Sequence, residues 1–479
     1  MSLAIDPTQP IPIYFQLKTL LLEEILGGRY PPGDRLPTEH ELCARYAISR
    51  TPVNRALSEL AAEGVILRHR RRGTFVNPHW AQRQPGGREL RIVVPEGPWE
   101  RLVREAVTPG LSVNVATVAL PDLHQALSHA VAEGRGPDLA VLDSVWVAEF
   151  SSAGFLWPLE DLDEQWVRDE YEADFLEAFV SANGHSGRVL AVQAEADVAG
   201  LWYRRTTLAS AGVEVPPTWN DLLGAGRALA GSDGIDHPLV MPGGSRGGET
   251  TTYCLLSLLA SNGASVIEAD GVALHSEATV EALAFLRQLA DHSVLSEEVV
   301  AYEWDRPIRL LAQGQAAISF GGSYDGPALA EAAGLSLEDL SSHFGFAATP
   351  AGPRGVPATL AGGMVYGIFR QAAHPDLAMR LIERLVSPES LAHMSRSTAQ
   401  IPPRRSAIAL VESDAPFIST TARMLERAVV RPATPVYARV SAQLQAMLEA
   451  VLTRRLEPEA ASERAAEMIG AITGLSLRR

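Results

Sequence analysis

Ser49-Arg50-Thr51-Pro52-Val53-Asn54-Arg55-Ala56-Leu57 decides how the first part of this chain folds. Ser49 is a favourable N-cap, and Val53, Ala56, Leu57 and Leu60 recur at i, i+3, i+4 and i+7, predicting a helix with one apolar stripe. Arg50, Thr51, Asn54, Arg55 and Ser58 are then left on the outer face. Pro52 fits because the first helical turn does not need its N–H groups for internal bonding. Just upstream, Thr38-Glu39-His40-Glu41 has the form of a capping box. It predicts a short helix through Leu42 and Tyr46, with Ala47-Ile48 as the turn into the next. Two short helices joined tightly, the second with a cationic outer face, suit the major groove of DNA.

Before this pair, Tyr14, Leu17, Leu21 and Ile25 form the buried stripe of a first helix that Gly27-Gly28 stops. After it, Val65-Ile66-Leu67 and Thr74-Phe75-Val76 are expected to form a hairpin. Its tip carries Arg68, His69, Arg70, Arg71, Arg72 and Gly73, a charged wing that phosphate attraction accounts for. The competing explanation is a solvated arginine-rich turn beside an ordinary three-helix bundle. Capping box, cationic helix and basic wing occurring together in this order favour DNA.

Four segments carry a family resemblance: Pro12-Ile13-Tyr14, Pro32-Gly33-Asp34-Arg35-Leu36-Pro37-Thr38-Glu39, Ser49-Arg50-Thr51 and Arg72-Gly73-Thr74-Phe75-Val76. In these, residues 1–76 resemble the winged helix-turn-helix of the GntR family of transcription regulators. The resemblance implies base or backbone contacts from Arg50 and Thr51, a minor-groove or phosphate role for Arg72 and Gly73, and support from His40 and Arg45. Arg35, Ser49, Asn54, Arg55, Arg70, Arg71 and Thr74 complete the expected DNA-facing set. The chain departs from the family at Pro52, often Thr, at Asn54, often Arg, and at His40, often Arg. Asn can read adenine through its amide, so the departure bears on operator preference.

A chain of 479 residues is too long for one core. Its formal net charge of -16 would argue against nucleic acid if it were spread evenly. It is not: residues 1–80 hold 10 Lys or Arg against 8 Asp or Glu, and the remainder 31 against 49. A mildly basic head is joined to an acidic body. The two cysteines, Cys43 and Cys254, fall in segments expected to be separate, as buried thiols of a reducing compartment. Residues 1–12 have neither a cationic n-region nor an apolar h-region, and no apolar run of about 18 residues occurs. A cytoplasmic protein is expected.

Residues 77–89 mix Pro, Gly and polar residues without apolar periodicity, which predicts a linker. Beyond it, strands and helices alternate: strands over 90–94, 113–120 and 138–143, helices over 121–133 and 145–153. The pattern restarts with strands over 189–192 and 200–203, a helix opened by Thr218, helices over 250–259 and 278–289, a strand over 316–320 and an amphipathic helix over 375–385. This grammar argues for βαβ units with parallel strands, and its length for two α/β lobes.

Several segments in this order are similar to the extracellular solute-binding proteins of ABC sugar importers, with the type II periplasmic-binding fold. They include Gly136-Pro137-Asp138, Gly154-Phe155-Leu156-Trp157-Pro158-Leu159, Leu201-Trp202-Tyr203-Arg204-Arg205, Pro217-Thr218-Trp219, Ser261-Asn262-Gly263, Gly314-Gln315-Ala316-Ala317-Ile318, Gly321-Gly322-Ser323-Tyr324 and Ile401-Pro402-Pro403-Arg404-Arg405. The resemblance implies that residues 90–479 form two lobes, the first about 90–197 and 356–405, the second about 198–355 and 406–479.

Ligands of open parallel sheets bind beyond the carboxyl ends of strands. That rule selects Asp143, Ser144 and Trp146; Glu195 and Asp197 at a lobe crossover; Gly321, Gly322, Ser323 and Tyr324; and Gly362, Gly363 and Met364. Trp304 and Arg404 join the candidates. Carboxylates accept strong bonds from sugar hydroxyls, and aromatic faces stack on sugar C–H surfaces. Plainer roles stand beside these: Trp157, Trp166 and Trp219 as packing residues, Asp143 as a helix cap, Asp197 as a solvated charge, Arg404 as the partner of a carboxylate. The run 242–250 lacks the Gly-Lys-Ser/Thr ending of a phosphate loop.

One GntR branch carries an aminotransferase-like domain, which needs a lysine for pyridoxal phosphate. Lys18, in the first helix of the head, is the chain's single lysine, so the body cannot supply that nucleophile. No Cys-x-x-Cys occurs, and His124 and His129 are off a common helical face for a metal. The expectation is therefore a ligand-responsive regulator without catalysis, cofactor or metal, most simply a repressor of carbohydrate genes. It binds double-stranded operator DNA as a homodimer and responds to a sugar or oligosaccharide between its lobes. The alternative is a cytoplasmic solute-binding protein or a regulator sensing an amino acid, polyamine or other small molecule.

Overall fold

A computed structural model describes residues 5, 13–26, 28–62, 64–69, 73–78, 89–185, 187–232, 234–413 and 415–478. The head consists of α1 (Ile13–Leu26), α2 (Glu39–Tyr46), α3 (Arg50–Ala62), β1 (Ile66–His69) and β2 (Gly73–Val76). Thr38 and Glu41 close the capping box in both directions, and Ala47 takes the left-handed conformation that turns α2 toward α3. Leu17, Leu21, Ile25, Leu42, Val53, Ala56, Leu57, Leu60 and Val76 form one apolar cluster. The wing pairs antiparallel from Ile66↔Val76 to His69↔Gly73. Its tip, Arg70, Arg71 and Arg72, lies outside the described residues.

Two compact units account for the chain. Met1–Asp169, Asn183–Val192 and Val365–Leu385 make the first, so the head and the start of the body belong to one unit. Glu170–Ala182, Gln193–Met364 and Val386–Arg479 make the second. The lobe bounds expected from the resemblance put 170–182 and 386–405 in lobe one and the crossings near 197 and 356, which differs from these units. The difference has a physical cause: Arg404 binds Glu170 and Asp174, Phe175 bridges Arg404, and the Ala196 N–H donates to the Ile401 carbonyl. These contacts hold both segments to the second unit. The linker expected over 77–89 also begins later, because Asn77 is buried in the head and donates to the Gly64 carbonyl at 2.7 Å. Residues 79–88 lie outside the described set.

The first unit's body is built on β3 (Glu89–Pro95), β4 (Ser112–Val118) and β5 (Leu139–Asp143). Helices α4 (Trp99–Ala106), α5 (Leu120–Ala132) and α6 (Val147–Ser152) flank them. The sheet runs β4, β3, β5, then Met364–Ile368, then Val192–Gln193. Strand β3 pairs parallel with both β4 and β5, as alternating β and α segments require. Buried Asp138 accepts from the Arg91 N–H at 2.7 Å and the Ala373 N–H at 2.8 Å, tying β3 to the segment entering helix Pro375–Leu385.

The second unit's sheet is ordered His237–Val240, Ala316–Gly322, Asp197–Arg204, Leu360–Gly362, Val429–Val430, with Phe344–Ala347 also paired to Asp197–Arg204. Parallel pairing was expected throughout, yet Asp197–Arg204 runs antiparallel to Ala316–Gly322, Phe344–Ala347 and Leu360–Gly362. That reversal places the start of Asp197–Arg204 beside the carboxyl ends of two neighbours, Gly362 against Asp197 and Gly322 against Ala199. Helices Gly248–Ser261, Glu277–Asp291, Tyr437–Leu452 and Pro458–Thr473 cover one face in a single core with Leu239, Val240 and Ile318.

Candidate functional site

The DNA-facing candidates are side chains that the head's core leaves outside. Val53, Ala56, Leu57 and Leu60 are buried, so Arg50, Thr51, Asn54, Arg55 and Ser58 of α3 are exposed, with Ser49 just before them. Arg50, with 80% of its side chain exposed, donates to Glu39 at 2.8 Å, and Arg68 reaches the same carboxylate at 2.7 Å. Arg68 also donates to Ser58 at 2.9 Å and Asn54 at 3.3 Å. Glu39, Arg50, Asn54, Ser58 and Arg68 thus form one polar surface joining α2, α3 and β1. The sequence placed Arg68 on the wing without ranking it as a contact; its position two residues after buried Ile66 on a short strand was the available signal.

Arg35 bridges Phe75, and its guanidinium lies where a Cβ at Gly73 would come within 2.8 Å, so glycine at 73, at φ +113°, makes room for it. Arg35, Gly73 and Thr74 are therefore neighbours, as expected of wing residues. Exposed His40 projects from α2. Arg45 is taken up by Tyr30 at 3.1 Å and Glu24 at 3.3 Å, and Arg55 lies 3.7 Å over the Tyr14 ring and binds Glu59 at 3.2 Å. Both brace the head internally. Tyr14 is only half-buried for this reason, whereas Phe15, Lys18, Leu20 and Leu22 of α1 are buried beyond the expected stripe.

In the first unit, Asp143 ends β5 and accepts from the Val145 N–H at 3.1 Å, capping the short turn Ser144–Trp146. The capping role is the one the geometry displays. Half-buried Trp146 meets His124 edge-on, ring centres 5.1 Å apart, and His124 Nε2 lies 3.1 Å from Glu149. His124 and Glu149 were not selected from sequence; an i, i+3 pairing of Trp146 with Glu149 was the only hint.

The second unit holds a denser constellation. Asp197 is 8% exposed, and its carboxylate accepts from the Tyr253 hydroxyl, which lies 2.8 Å from the Leu360 carbonyl. Burial, then the adjacent Asp197 charge, pushes the Tyr253 phenol well up, keeping it a neutral donor. At Gly362 a Cβ would sit 2.9 Å from Asp197 Oδ1, 3.1 Å from Arg431 Nη2 and 3.2 Å from Tyr253 Cε2, so only glycine lets these three groups converge. Glu249 extends the network: it accepts from Arg431 at 3.1 Å, Tyr437 at 2.6 Å and Ser441 at 2.8 Å. Ser441 in turn meets Thr252 and Gln445. Tyr437, Ser441 and Gln445 are spaced i, i+4, i+8 on one face of Tyr437–Leu452, a polar stripe that periodicity could have found.

The remaining candidates divide. Glu195 Oε1 accepts from the Met364 N–H at 3.0 Å, and Gln193 donates to the Glu195 carbonyl at 2.8 Å, so Glu195, Gly363 and Met364 stabilise the crossing segments. Ser323 accepts from the Val198 N–H, Gly322 accepts from Trp202, and half-buried Tyr324 lies 6.0 Å from the Tyr253 ring. Asp325, missed in the sequence, accepts from the Gly322 N–H at 2.9 Å, and burial pushes its carboxyl up to about 7. Trp304 is 49% exposed. Arg404 is 6% exposed and bound to Glu170, Asp174 and the Val386 carbonyl; as a ligand contact it is corrected to a structural ion pair. Trp219 is a core residue stacked on Phe285 at 4.7 Å. Among the described residues no helix is long and apolar enough to cross a membrane.

With this geometry established, the chain can be set beside known proteins. The bacterial extracellular solute-binding protein model matches residues 95–392, and the model of bacterial regulatory proteins of the gntR family matches residues 13–76. A Brucella abortus protein described as a binding protein is 23% identical over 330 residues, covering 66% of this chain and 76% of its own. The histidine utilization repressor of Pseudomonas putida is 42% identical over 67 residues, 14% of this chain and 27% of its own. Among solved structures, the Thermotoga lettingae ABC transporter solute-binding protein bound with α-D-tagatose superposes with a TM-score of 0.72 at 24% identity, covering 81% of this chain and 100% of that one. Maltose-bound T. maritima MalE3 gives 0.70 at 25% identity, covering 80% and 99%. With its larger match spanning most of the sequence, the chain belongs to the bacterial extracellular solute-binding protein family, and its N-terminal region is a GntR-family DNA-binding head.

Proposed function

We propose that this protein is a transcription regulator whose affinity for operator DNA responds to a sugar or oligosaccharide, with Asp197, Tyr253, Glu249 and Arg431 as the centre of effector recognition. The observation that carries the proposal is the pairing, within one chain, of a groove-sized cationic face on α3 and β1 with this buried carboxylate and hydroxyl network. A desolvated carboxylate accepts a strong hydrogen bond from a hydroxyl, and charged hydrogen bonds contribute roughly 1.5–3 kcal/mol each. Arg431 balances Glu249 and leaves the Asp197 carboxylate as the excess charge, held by the Tyr253 hydroxyl, so the network offers the oriented acceptors and donors that a polyol requires. An amino acid effector is the alternative, and the same Arg431 would then take its carboxylate. The relatives add support: solute-binding proteins of this fold were solved with tagatose and with maltose.

The regulator is a repressor of carbohydrate uptake or utilisation genes, acts in the cytoplasm where duplex DNA is found, and binds a pseudo-palindromic operator as a homodimer. The body works as a receptor rather than an enzyme, since its carboxylates already satisfy hydroxyl and guanidinium partners. A thermal-shift panel of mono- and disaccharides with the purified full chain tests the effector class. A ligand that binds the native state raises the melting point in proportion to the logarithm of its concentration. A panel in which only amino acids shift the transition would replace the sugar reading.

A further inference from the structure

Helix α1 is buried on more sides than a head helix needs. Leu17, Leu21 and Ile25 serve the head's own core. Phe15, 4% exposed, meets Phe155 of the body edge-on with ring centres 5.3 Å apart, and Phe155 is itself 6% exposed. One turn along α1, Lys18 has 2% of its side chain exposed; it pairs with Glu59 of α3 at 3.4 Å and donates to the Ala132 carbonyl at 2.5 Å. Ala132 is the last residue of α5, so the ammonium sits where helix carbonyls concentrate negative potential. An ammonium with so little solvent around it requires such partners, one from the head and one from the body.

Both body contacts lead back to the strand-end candidates of the first unit. Phe155 packs on Phe150 at 5.6 Å, and Phe150 on Trp146 at 6.5 Å. Helix α5, whose end holds Lys18, also carries His124, which meets Trp146 at 5.1 Å and Phe150 at 5.5 Å. One route of aromatic packing, and a second that runs from the Ala132 carbonyl along α5 to His124, therefore join the Asp143–Trp146 turn to the helix that supports α3.

We infer that α1 docks on the body through Phe15 and Lys18 as a regulatory joint, and that this joint, not the linker alone, carries the state of the Trp146 region to the DNA-binding helices. The inference rests on the regulator reading but is tested without any effector. Because Lys18 is the chain's single lysine, an amine-reactive N-hydroxysuccinimide ester reports on the joint at one side chain. Peptide mass spectrometry on the full chain follows its labelling rate, while fluorescence anisotropy measures affinity for a duplex selected from a random pool.

In the docked protein Lys18 labels at least tenfold more slowly than free lysine amide. Phe155→Ala removes the ring against Phe15, raises the Lys18 rate about tenfold, and weakens duplex binding at least fivefold because an undocked head must be ordered on binding. Phe15→Leu, which keeps an apolar side chain on α1, shifts both readouts the same way and serves if Phe155→Ala fails to fold. Lys18 labelling at the rate of the free amine in the unmodified protein overturns the docking. Faster labelling with unchanged duplex affinity overturns the regulatory role. If the protein binds no duplex at all, the regulator reading fails whatever Lys18 does.

Discussion

Replacing Asp197 separates a recognising carboxylate from a supporting one. Asp197 opens the strand Asp197–Arg204, is 8% exposed, and faces Tyr253 and the glycine gap at 362 that brings Arg431 close. Asp197→Asn keeps the volume and an acceptor for Tyr253 but removes the charge. Exchanging a charged hydrogen bond for a neutral one removes about 1 to 1.5 kcal/mol, a roughly 5- to 13-fold rise in Kd. Asp197→Ala removes the acceptor altogether and is worth about 2 to 3 kcal/mol, roughly 30- to 150-fold. Titration calorimetry with the sugar that gives the largest thermal shift should return this graded pair, with Tyr253→Phe weaker than wild type as well. A folded Asp197→Ala protein with wild-type Kd would refute recognition by this carboxylate.

Three further outcomes follow from the geometry. Arg68→Ala should lower the slope of log affinity against log salt by about 0.9, so a fourfold rise in salt weakens its duplex binding about 3- to 4-fold less than wild type; an unchanged slope removes Arg68 from the phosphate contacts. Asp138→Ala leaves the Arg91 and Ala373 N–H groups without their buried acceptor and should destabilise the first unit by about 3 to 5 kcal/mol, read as a lowered urea midpoint. Asp325 is raised from its ordinary 3.8 to about 7, by burial first and then by the charges of Asp197 and Asp305. Between those values the unfolded chain releases a proton that the native state keeps, so this group's contribution to stability is full below about pH 3.8 and lost as pH rises toward 7. Asp325→Asn should therefore gain on wild type in urea midpoint from pH 5 to 7 and hold that gain above; a constant difference would contradict the shift.

Local signals carried most of the fold. The capping box at Thr38 and Glu41, the stripe Val53, Ala56, Leu57 and Leu60, and the stripe Ala378, Leu381, Ile382 and Leu385 are short-range patterns that the tertiary structure keeps. What escaped was set by distant partners. Antiparallel pairing of Asp197–Arg204 depends on where the chain re-enters the sheet, and Arg404 is committed to Glu170 and Asp174, more than 200 positions away. The effector network was half legible: Asp197 and Gly362 follow from strand-end reasoning, but Tyr253, Glu249 and Arg431 join them only through folding. Phe15 and Lys18 lie off the stripe of Tyr14, Leu17, Leu21 and Ile25, and their partners Phe155 and Ala132 are more than 100 positions away in the chain.

Competition between effector and operator tests the regulator most directly. Fluorescence anisotropy of the full chain on its selected duplex, at fixed salt and with increasing sugar, should show operator affinity changing by about 5- to 150-fold, the range that 1 to 3 kcal/mol of coupling produces. The same factor should appear in sugar affinity when duplex is present. A sugar that binds tightly while operator affinity stays constant would contradict a regulator whose two ends communicate.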